Sequence, residues 1–283
     1  MQWYRTLTGP VKTAGLTQVF AARCGLELTR LSNLKGSLAS AFGAAAEAYH
    51  SAADVQREVA SRLARRIAGI RLASRPRVLE VGCGTGFLHH ALAPDLEGAR
   101  WLLSDLSEAM VRRARANHAG HNTGFAVMDG EAPALRPASF DLICASLVFQ
   151  WFEDLPRALH SLTDLLAPGG ALVFSTLAAE SFPEWRAAHQ EIGARAALRS
   201  YPSTKDIAQM APAGHRVAVE VETIARAYRN AQAFLAHWKE IGTHVPDASR
   251  PPLTPGTMRK LLRRFESGIT VTYQVAYATI LKP

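Results

Sequence analysis

The sequence has little cysteine and no long apolar run. Its three cysteines, Cys24, Cys83 and Cys144, are widely spaced and include no Cys-x-x-Cys pair of the kind that binds zinc or exchanges disulfides. No stretch approaches the roughly 18 uninterrupted apolar residues of a membrane span. The N-terminal region also lacks the apolar core of a secretion signal. We therefore expect reduced thiols, no membrane span and a soluble protein of the cytoplasm.

The sequence also lacks the residue spacings that are typical of metal sites and of diphosphate-binding loops. His89 and His90 are adjacent on a predicted helix and cannot both face one metal ion, and the other histidines lack ligand spacing, so we expect no metal. No Lys follows the glycines of residues 82–86, which excludes a phosphate-binding P-loop. Phe87 stands where a dinucleotide fingerprint needs its last glycine. The glycines therefore favour a nucleoside ligand that has no pyrophosphate.

Length and charge set broad limits on the architecture and on the partners. A chain of 283 residues that is 48% hydrophobic suits one large α/β domain better than two full domains. The net charge of +8 favours an acidic partner, which could be nucleic acid, a membrane surface or an acidic protein. Charge alone does not choose among these three.

The pattern of charged and apolar residues changes along the chain. We interpret residues 1–34, which are basic and poor in acids, as an extension outside the fold, and a targeting segment is the alternative. Residues 35–70 repeat apolar side chains at helical spacing. Residues 76–177 alternate short apolar runs with amphipathic stretches, which predicts a parallel sheet covered on both faces.

The last hundred residues mix helices with two strands. We predict a helix near Pro183–Arg199, a strand at RVAVEVETIARAY, a helix near Ala231–Ile241, a basic helix at TMRKLLRRFE and a last strand at ITVTYQVAYATI. A Pro-rich link precedes the basic helix. Within one domain over 35–283, residues 178–268 then form a helical lid on the substrate side, and residues 269–283 form the closing strand.

Glycines and acids gather at the ends of the predicted strands. Gly82, Gly84 and Gly86 follow the first strand and open a helix, where missing side chains let a ligand approach the backbone. Glu80 can receive an ammonium group, and Asp105 can accept two ribose hydroxyls. Asp129, after the third strand, can accept from an adenine amino group. The alternative is that such acids only cap the following helices.

These residues carry a family resemblance. VLEVGCGTGF, SDLSEAM, MDGEAPAL with SFDLICAS, and LLAPGGALVFST resemble successive motifs of class I S-adenosylmethionine-dependent methyltransferases over residues 76–177. The resemblance implies a Rossmann-like fold, with a seven-stranded, mostly parallel sheet between helices, and S-adenosylmethionine as cofactor. It places the cofactor against Glu80, Gly82, Gly84, Gly86, Asp105, Leu106, Asp129 and Gly130.

The flanking segments narrow the choice of methyl acceptor. The segment SLVFQWFED has neither the Asn/Asp-Pro-Pro-Tyr of DNA amino-methyltransferases nor the Pro-Cys of cytosine methyltransferases. From Lys35 to Lys282 the order of segments resembles the malonyl-acyl-carrier-protein O-methyltransferases that begin biotin synthesis. Members usually start near Lys35, so the first 34 residues are a departure from the family.

This resemblance implies methyl transfer to a malonyl carboxylate, which is ionised at neutral pH and needs no general base. Tyr49, Gln150 and Trp151 are predicted to position it, with plain packing as the alternative role for Tyr49 and Trp151. An arginine should pair with the carboxylate, and the sequence does not rank Arg186, Arg199 and Arg250. Nor does it choose between carrier-protein and coenzyme A thioesters.

An acidic acyl carrier protein would give the positive charge a use, and nucleic acid would then be no partner. The docking candidates are two basic clusters, Arg259, Lys260, Arg263 and Arg264 in the first and Arg62, Arg65 and Arg66 in the second. Each could instead be an ordinary solvated face. Two rival functions stay open: a methyltransferase of the same fold that acts on a quinone-type ring, and a binding protein without turnover.

Overall fold

The computed structural model describes residues 34–196, 198–245 and 253–283. Contacts divide the chain after Ser37, and of the first unit only residues 34–37 are described, which are helical. The predicted extension up to residue 33, with Cys24, and the candidate Arg250 lie outside the described residues. The second unit, Leu38–Pro283, contains the sheet.

A seven-stranded sheet with the order β3-β2-β1-β4-β5-β7-β6 forms the centre of this unit. The strands are β1 Arg77–Val81, β2 Arg100–Asp105, β3 Thr123–Val127, β4 Phe140–Ser146, β5 Leu166–Leu177, β6 Arg216–Tyr228 and β7 Ile269–Leu281. The pairs among β1 to β5 are parallel, and β7 is antiparallel to β5 and β6. The predicted mostly parallel sheet of seven strands is confirmed.

Helices cover both faces of the sheet. They are α1 over residues 34–52, α2 Asp54–Ala68, α3 Phe87–Leu92, α4 Glu108–His118, α5 Leu155–Asp164, α6 Pro183–Glu191, α7 Thr204–Met210, α8 Ala231–Glu240 and α9 Pro255–Arg264. The neighbouring β1 residues Val78 and Leu79 are fully buried in two different apolar clusters. Burial on both faces explains why this strand reads as a continuous apolar run. No helix among the described residues is long and apolar enough to cross a membrane.

The helices depart from the sequence prediction at three places. The helical pattern predicted over 35–70 is divided at Ala53 into α1 and α2. The helix predicted to reach Arg199 ends at Glu191, because Gly193 turns the chain with φ +68°. Helix α7 was not predicted, although the reciprocal cap between Ser203 and Asp206 is a readable signal for a helix start.

Candidate active site

The glycine loop joins β1 to α3 in a left-handed backbone. Gly82, Gly84 and Gly86 have φ of +64°, +53° and +94°, a region that glycine adopts without strain. A Cβ on Gly82 would lie 2.4 Å from Val148, and one on Gly86 would lie 2.2 Å from a carbon of His118. The loop therefore needs glycine both for its conformation and for close contact with the segment after β4 and with the end of α4.

The three predicted acids lie at the ends of adjacent strands. Asp105 accepts backbone N–H bonds from Gly84 (2.9 Å) and Ser107 (2.8 Å), which ties the end of β2 to the glycine loop. Asp129 lies two residues beyond β3 and accepts from the Glu131 N–H at 3.0 Å. Because β1 pairs with β2 and β2 with β3, the three carboxyl groups share one edge of the sheet.

Glu80 is the acid whose hydrogen bonding is incomplete. Its side chain is buried, with 2% of the residue exposed, and its Oε2 atom has no hydrogen-bond partner among the described residues. Burial raises the pKa of Glu80 to about 8. A hydrogen bond from the backbone N–H of His89 partly opposes this rise, and the charge of Asp105 adds to it. A cationic donor against Glu80 would supply the missing partner and favour the ionised carboxylate.

These observations fit the expected nucleoside cofactor. The left-handed glycine loop is tied through the Gly84 N–H to Asp105, and Glu80 offers a buried acceptor to an ammonium group. Burial raises the pKa of Asp105, while backbone N–H groups, including that of Leu106, oppose the rise. At Gly130 a Cβ would lie 2.4 Å from Val81, so the Asp129 turn packs directly on β1.

Tyr49 lies beside the glycine loop. Its ring stacks on Phe87 with 6.0 Å between centroids, and a Cβ on Gly84 would come within 3.7 Å of it. Burial raises the pKa of the Tyr49 phenol well above its usual value, and the charge of Asp105 adds to the rise. Tyr49 does not line the cavity described in the next paragraph. Phe42 lies between Tyr49 and Trp151. The predicted role as a donor to the acceptor therefore stays a prediction for Tyr49.

A cavity of about 350 Å³ lies between the end of β4 and the late helices. Gln150 and Trp151 form part of its wall, and their role in positioning a carboxylate stays a prediction. Much of the rest is aromatic: Phe182 packs its ring against Trp238 (5.1 Å) and Tyr273 (5.0 Å), and all three line the cavity. The helices after β5 thus cover a pocket, and the pocket is mostly apolar.

Among the described residues, Arg199 is the single Lys or Arg that lines this cavity. Its Nε donates to the Gln150 carbonyl oxygen at 3.0 Å, and its guanidinium lies 5.9 Å from the centre of the Trp151 ring. One Nη atom is 3.6 Å from Glu153, and the side chain is 19% exposed. Arg186 instead donates to the Ser181 carbonyl oxygen outside the cavity lining. The geometry therefore ranks Arg199 above Arg186.

Gln150 fixes the turn that follows β4. Its amide nitrogen donates to the Leu147 carbonyl oxygen at 2.6 Å, and its amide oxygen accepts from the Thr176 hydroxyl at 3.3 Å. Leu147 has φ of +53°, an unusual value for a leucine, and it also lines the cavity. Gln150 thus holds a strained segment that joins the cavity wall to the glycine loop through Val148.

The two basic clusters differ in charge compensation. Arg62 pairs with Glu58 and Glu222, and Arg66 pairs with Glu220 and Glu222 of β6, so two of the three cations in this cluster tie α2 to the sheet. These ion pairs weaken the case for docking at Arg62 and Arg66, and the role of this cluster stays a prediction. The other cluster lies on α9 and is exposed, with one ion pair, Arg264 to Glu191 at 3.0 Å, among the described residues.

Sequence reasoning missed several lining residues because they come from distant segments. Phe182 and Tyr201 lie in two connecting segments, Trp238 lies on α8 and Tyr273 on β7, and no motif links them. His189 was also missed. A readable signal was present for it, since Trp185 and His189 stand four residues apart on α6 and so share one face.

Comparison with known proteins identifies relatives over most of the chain. A methyltransferase domain model matches residues 51–264. The malonyl-acyl-carrier-protein O-methyltransferase of Magnetococcus marinus is 39% identical over 251 residues, which cover 87% of this chain and 92% of that protein. The biotin biosynthesis bifunctional protein of Bordetella avium is 44% identical over 248 residues, 87% of this chain, and the chain spans 52% of its length.

Solved structures share the fold at lower identity. The Haloferax volcanii protein that was solved in complex with the methyltransferase activator Trm112 aligns with a TM-score of 0.57 and 21% identity, over 87% of this chain and 97% of that one. This likeness shows the class I methyltransferase fold that the motifs predicted, and it shows nothing about the acceptor.

Proposed function

We propose, since this chain belongs to the malonyl-acyl-carrier-protein O-methyltransferase family, that it moves a methyl group from S-adenosylmethionine to the free carboxylate of a malonyl thioester. The product is a malonyl methyl ester, and S-adenosylhomocysteine leaves. Methylation removes the charge at the end of the acyl chain, so enzymes with apolar pockets can elongate it toward the pimeloyl precursor of biotin. We place this reaction in the cytoplasm.

The cofactor half of the site follows from the fit described above. Glu80 would hold the ammonium group, Asp105 the ribose hydroxyls and Asp129 the adenine amino group, with Leu106 and Gly130 beside the last two. When bound, S-adenosylmethionine supplies a methyl group on a positively charged sulfur, which makes that methyl electrophilic. We assign the methionine part of the cofactor to the side of the glycine loop, whose backbone a ligand could approach.

Arg199 is the observation that carries the choice of acceptor. The cavity is apolar apart from a few groups, and the Arg199 guanidinium lies between Gln150 and Trp151. These two residues adjoin the glycine loop through Val148. A guanidinium pairs well with a carboxylate, and its Nε bond to the Gln150 carbonyl oxygen fixes its orientation. The uncharged methyl ester would lose this ion pair, which favours its release.

The reaction then depends on orientation. A malonyl carboxylate has a pKa of about 4 or below and is ionised near pH 7, so no side chain has to remove a proton. Arg199 would hold one carboxylate oxygen in line with the methyl group, while Trp151 and the aromatic wall exclude water. Well-oriented reactants lower a barrier by roughly 7 to 11 kcal/mol relative to free reactants at 1 M.

The exposed face of α9 suits an acidic acyl carrier protein. Arg259, Lys260 and Arg263 are exposed, and Met258 on the same helix lines the acceptor cavity. A carrier docked on this face would therefore have its thioester close to the cavity. We accordingly favour the carrier-protein thioester over the coenzyme A thioester, because a protein partner is large enough to contact several of these exposed cations together.

The test is methyl transfer from labelled S-adenosylmethionine to malonyl-carrier protein, compared with malonyl-coenzyme A, acetyl-carrier protein and a quinone precursor. We expect a base-labile methyl ester on the two malonyl thioesters, and no label on the acetyl carrier protein. Label on the ring compound alone would overturn the proposed acceptor. Cofactor binding without any transfer would favour a binding protein instead.

A further inference from the structure

His189 is a buried polar side chain in the cavity to which the reaction above assigns no role. It lies near the end of α6, is 3% exposed and lines the cavity. Its Nδ1 lies 2.8 Å from the Trp185 carbonyl oxygen. A carbonyl oxygen can only accept, so Nδ1 carries the hydrogen and donates it.

The other ring nitrogen is therefore an acceptor. Burial lowers the pKa of His189, more than its bond to Trp185 raises it, which keeps the imidazole neutral near pH 7. Nε2 then presents a lone pair, and it has no hydrogen-bond partner among the described residues. Leaving such an acceptor without a donor when a ligand displaces water is unfavourable.

A malonyl thioester provides no donor for this nitrogen. Its ionised carboxylate and its thioester carbonyl can only accept, so His189 does not suit the acyl group itself. The cofactor does carry donors, but their expected partners Glu80, Asp105 and Asp129 lie at the ends of β1 to β3. The donor must come from the part of the acceptor substrate beyond its sulfur atom.

We propose that His189 Nε2 accepts a hydrogen bond from the amide N–H nearest the thioester sulfur, in the pantetheine arm of the acceptor substrate. This inference rests on the proposed function, since it takes the acceptor to be a thioester. It makes His189 a specificity residue for the arm, and it assigns it no part in the methyl transfer.

The position of α6 indicates the direction in which the pantetheine arm leaves the acyl group. Arg199 adjoins Gln150 and Trp151 on the side of the glycine loop. Helix α6 packs instead against the basic helix, through the pair between Glu191 and Arg264 and a ring contact between Trp185 and Phe265 at 5.9 Å. An acyl group held at Arg199 thus has its arm directed past His189 toward the proposed docking face.

The size of the cavity agrees. At roughly 30 Å³ for each water-sized group, the cavity has room for about a dozen such groups. This number is about twice the number of heavy atoms in a malonyl group. The additional space accommodates the first atoms of the arm.

Two short substrates test the inference: the malonyl thioester of N-acetylcysteamine, and the same molecule with an ester oxygen in place of the amide N–H. They differ in the single donor. We expect wild-type kcat/KM to be about tenfold higher for the amide than for the ester, because the ester sets a lone pair against Nε2. A ratio within twofold would overturn the inference.

Two variants test whether His189 causes the preference for the amide substrate over the ester. His189→Phe keeps a ring beside Trp185 but has no acceptor, and we expect its ratio to fall to about one, mainly through slower turnover of the amide. His189→Gln retains an acceptor oxygen and should keep most of the preference. A His189→Phe enzyme with the wild-type ratio would contradict the inference, and the wild-type substrate pair stays decisive should a variant fail to fold.

Failure of the proposed function looks different in these assays. It would appear as no methyl ester on malonyl-carrier protein or on either short thioester, despite normal cofactor binding, and the inference would then fall with it. If malonyl-carrier protein alone is methylated, the two short thioesters are compared as competitors against it. Tenfold tighter competition by the amide supports the inference, and equal competition overturns it.

Discussion

The cofactor half and the acceptor half of this site are built in different ways. Glu80, the glycine loop, Asp105 and Asp129 come from about fifty consecutive residues, and each lies at or just beyond the C-terminal end of a parallel strand. The acceptor wall draws on Gln150, Phe182, Arg199 and Trp238, which lie on separate elements and connections between β4 and β7.

The two halves also differ in chemistry. The cofactor half carries three carboxyl groups and backbone groups in fixed left-handed conformations, while the acceptor cavity is mostly apolar and has one guanidinium among its described residues. Repeating the strand-end geometry lets one fold bind one cofactor, and the inserted helices are free to suit the acceptor. We therefore expect changes in one half to leave binding by the other half intact.

The largest expected effect that separates the halves is on the acceptor side. Arg199→Gln should lower kcat/KM for malonyl-carrier protein roughly 30- to 1000-fold, about 2 to 4 kcal/mol, because the substrate carboxylate loses its partner in a water-poor cavity. Cofactor affinity, measured by calorimetry, should not change. Arg186→Gln is the matched control and should keep near wild-type activity. A loss of cofactor binding in Arg199→Gln would show that the halves are coupled.

The next effect is on the cofactor side. Asp105→Ala should weaken S-adenosylmethionine binding by about 1.5 to 3 kcal/mol, roughly 10- to 150-fold in Kd, because a charged hydrogen-bond acceptor is removed. Asp154→Ala removes a carboxylate that caps α5 and serves as the control. Normal affinity in Asp105→Ala, by the same calorimetry, would mean that the ribose site is elsewhere.

Glu80 gives the cofactor half a pH dependence above pH 6.5. Its folded pKa of about 8 exceeds the ordinary 4.5, so its contribution to stability is full below pH 4.5 and is lost as pH rises to 8. His89, whose pKa burial lowers to about 4, acts in the opposite sense and only below pH 6.5. Between pH 6.5 and 8 the ligand-free protein should therefore lose about 2 kcal/mol that Glu80→Gln does not lose.

Urea unfolding at several pH values measures this difference. Bound S-adenosylmethionine should reduce it, since its ammonium group favours the ionised carboxylate. Parallel pH profiles for the wild type and Glu80→Gln would contradict the interpretation of Glu80 as a buried, incompletely bonded acid.

The smallest effect concerns the surface beside the acceptor half. Arg259→Glu with Arg263→Glu should raise KM for malonyl-carrier protein about fivefold at low salt, with a smaller effect at high salt. KM for malonyl-coenzyme A should change less, and cofactor affinity should not change. Reversing the exposed Arg71 and Arg136 together is the matched control. Equal KM values in the two double variants would remove α9 from the docking proposal.

Local patterns in the sequence anticipated much of the cofactor half. Glycine spacing, continuous apolar strands and acids at strand ends predicted the loop and the shared edge that the structure contains. Local signals were weaker for the helices after β5. The cap at Ser203 was overlooked, and α6 was extended past Gly193, a residue that ends helices.

The acceptor half was harder to predict because its contacts join distant parts of the chain. Arg186 and Arg199 are equivalent by composition, and only packing sets Arg199 on the Gln150 carbonyl oxygen. Arg62 and Arg66 looked like a free basic face until β6 brought Glu220 and Glu222 against them. His189 became an acceptor only when its Nδ1 was seen to face a carbonyl oxygen.

The sequence by itself determined the sheet, the glycine loop and the acids at the strand ends, because strand periodicity and glycine conformations depend on neighbours a few residues away. Tertiary structure alone decided which arginine faces the cavity, which basic cluster has fewer ion pairs among the described residues and which histidine nitrogen is free to accept. Each of these depends on an oxygen atom contributed by another segment or by a helical turn, and a charge or lone pair acquires its role only from the groups that surround it.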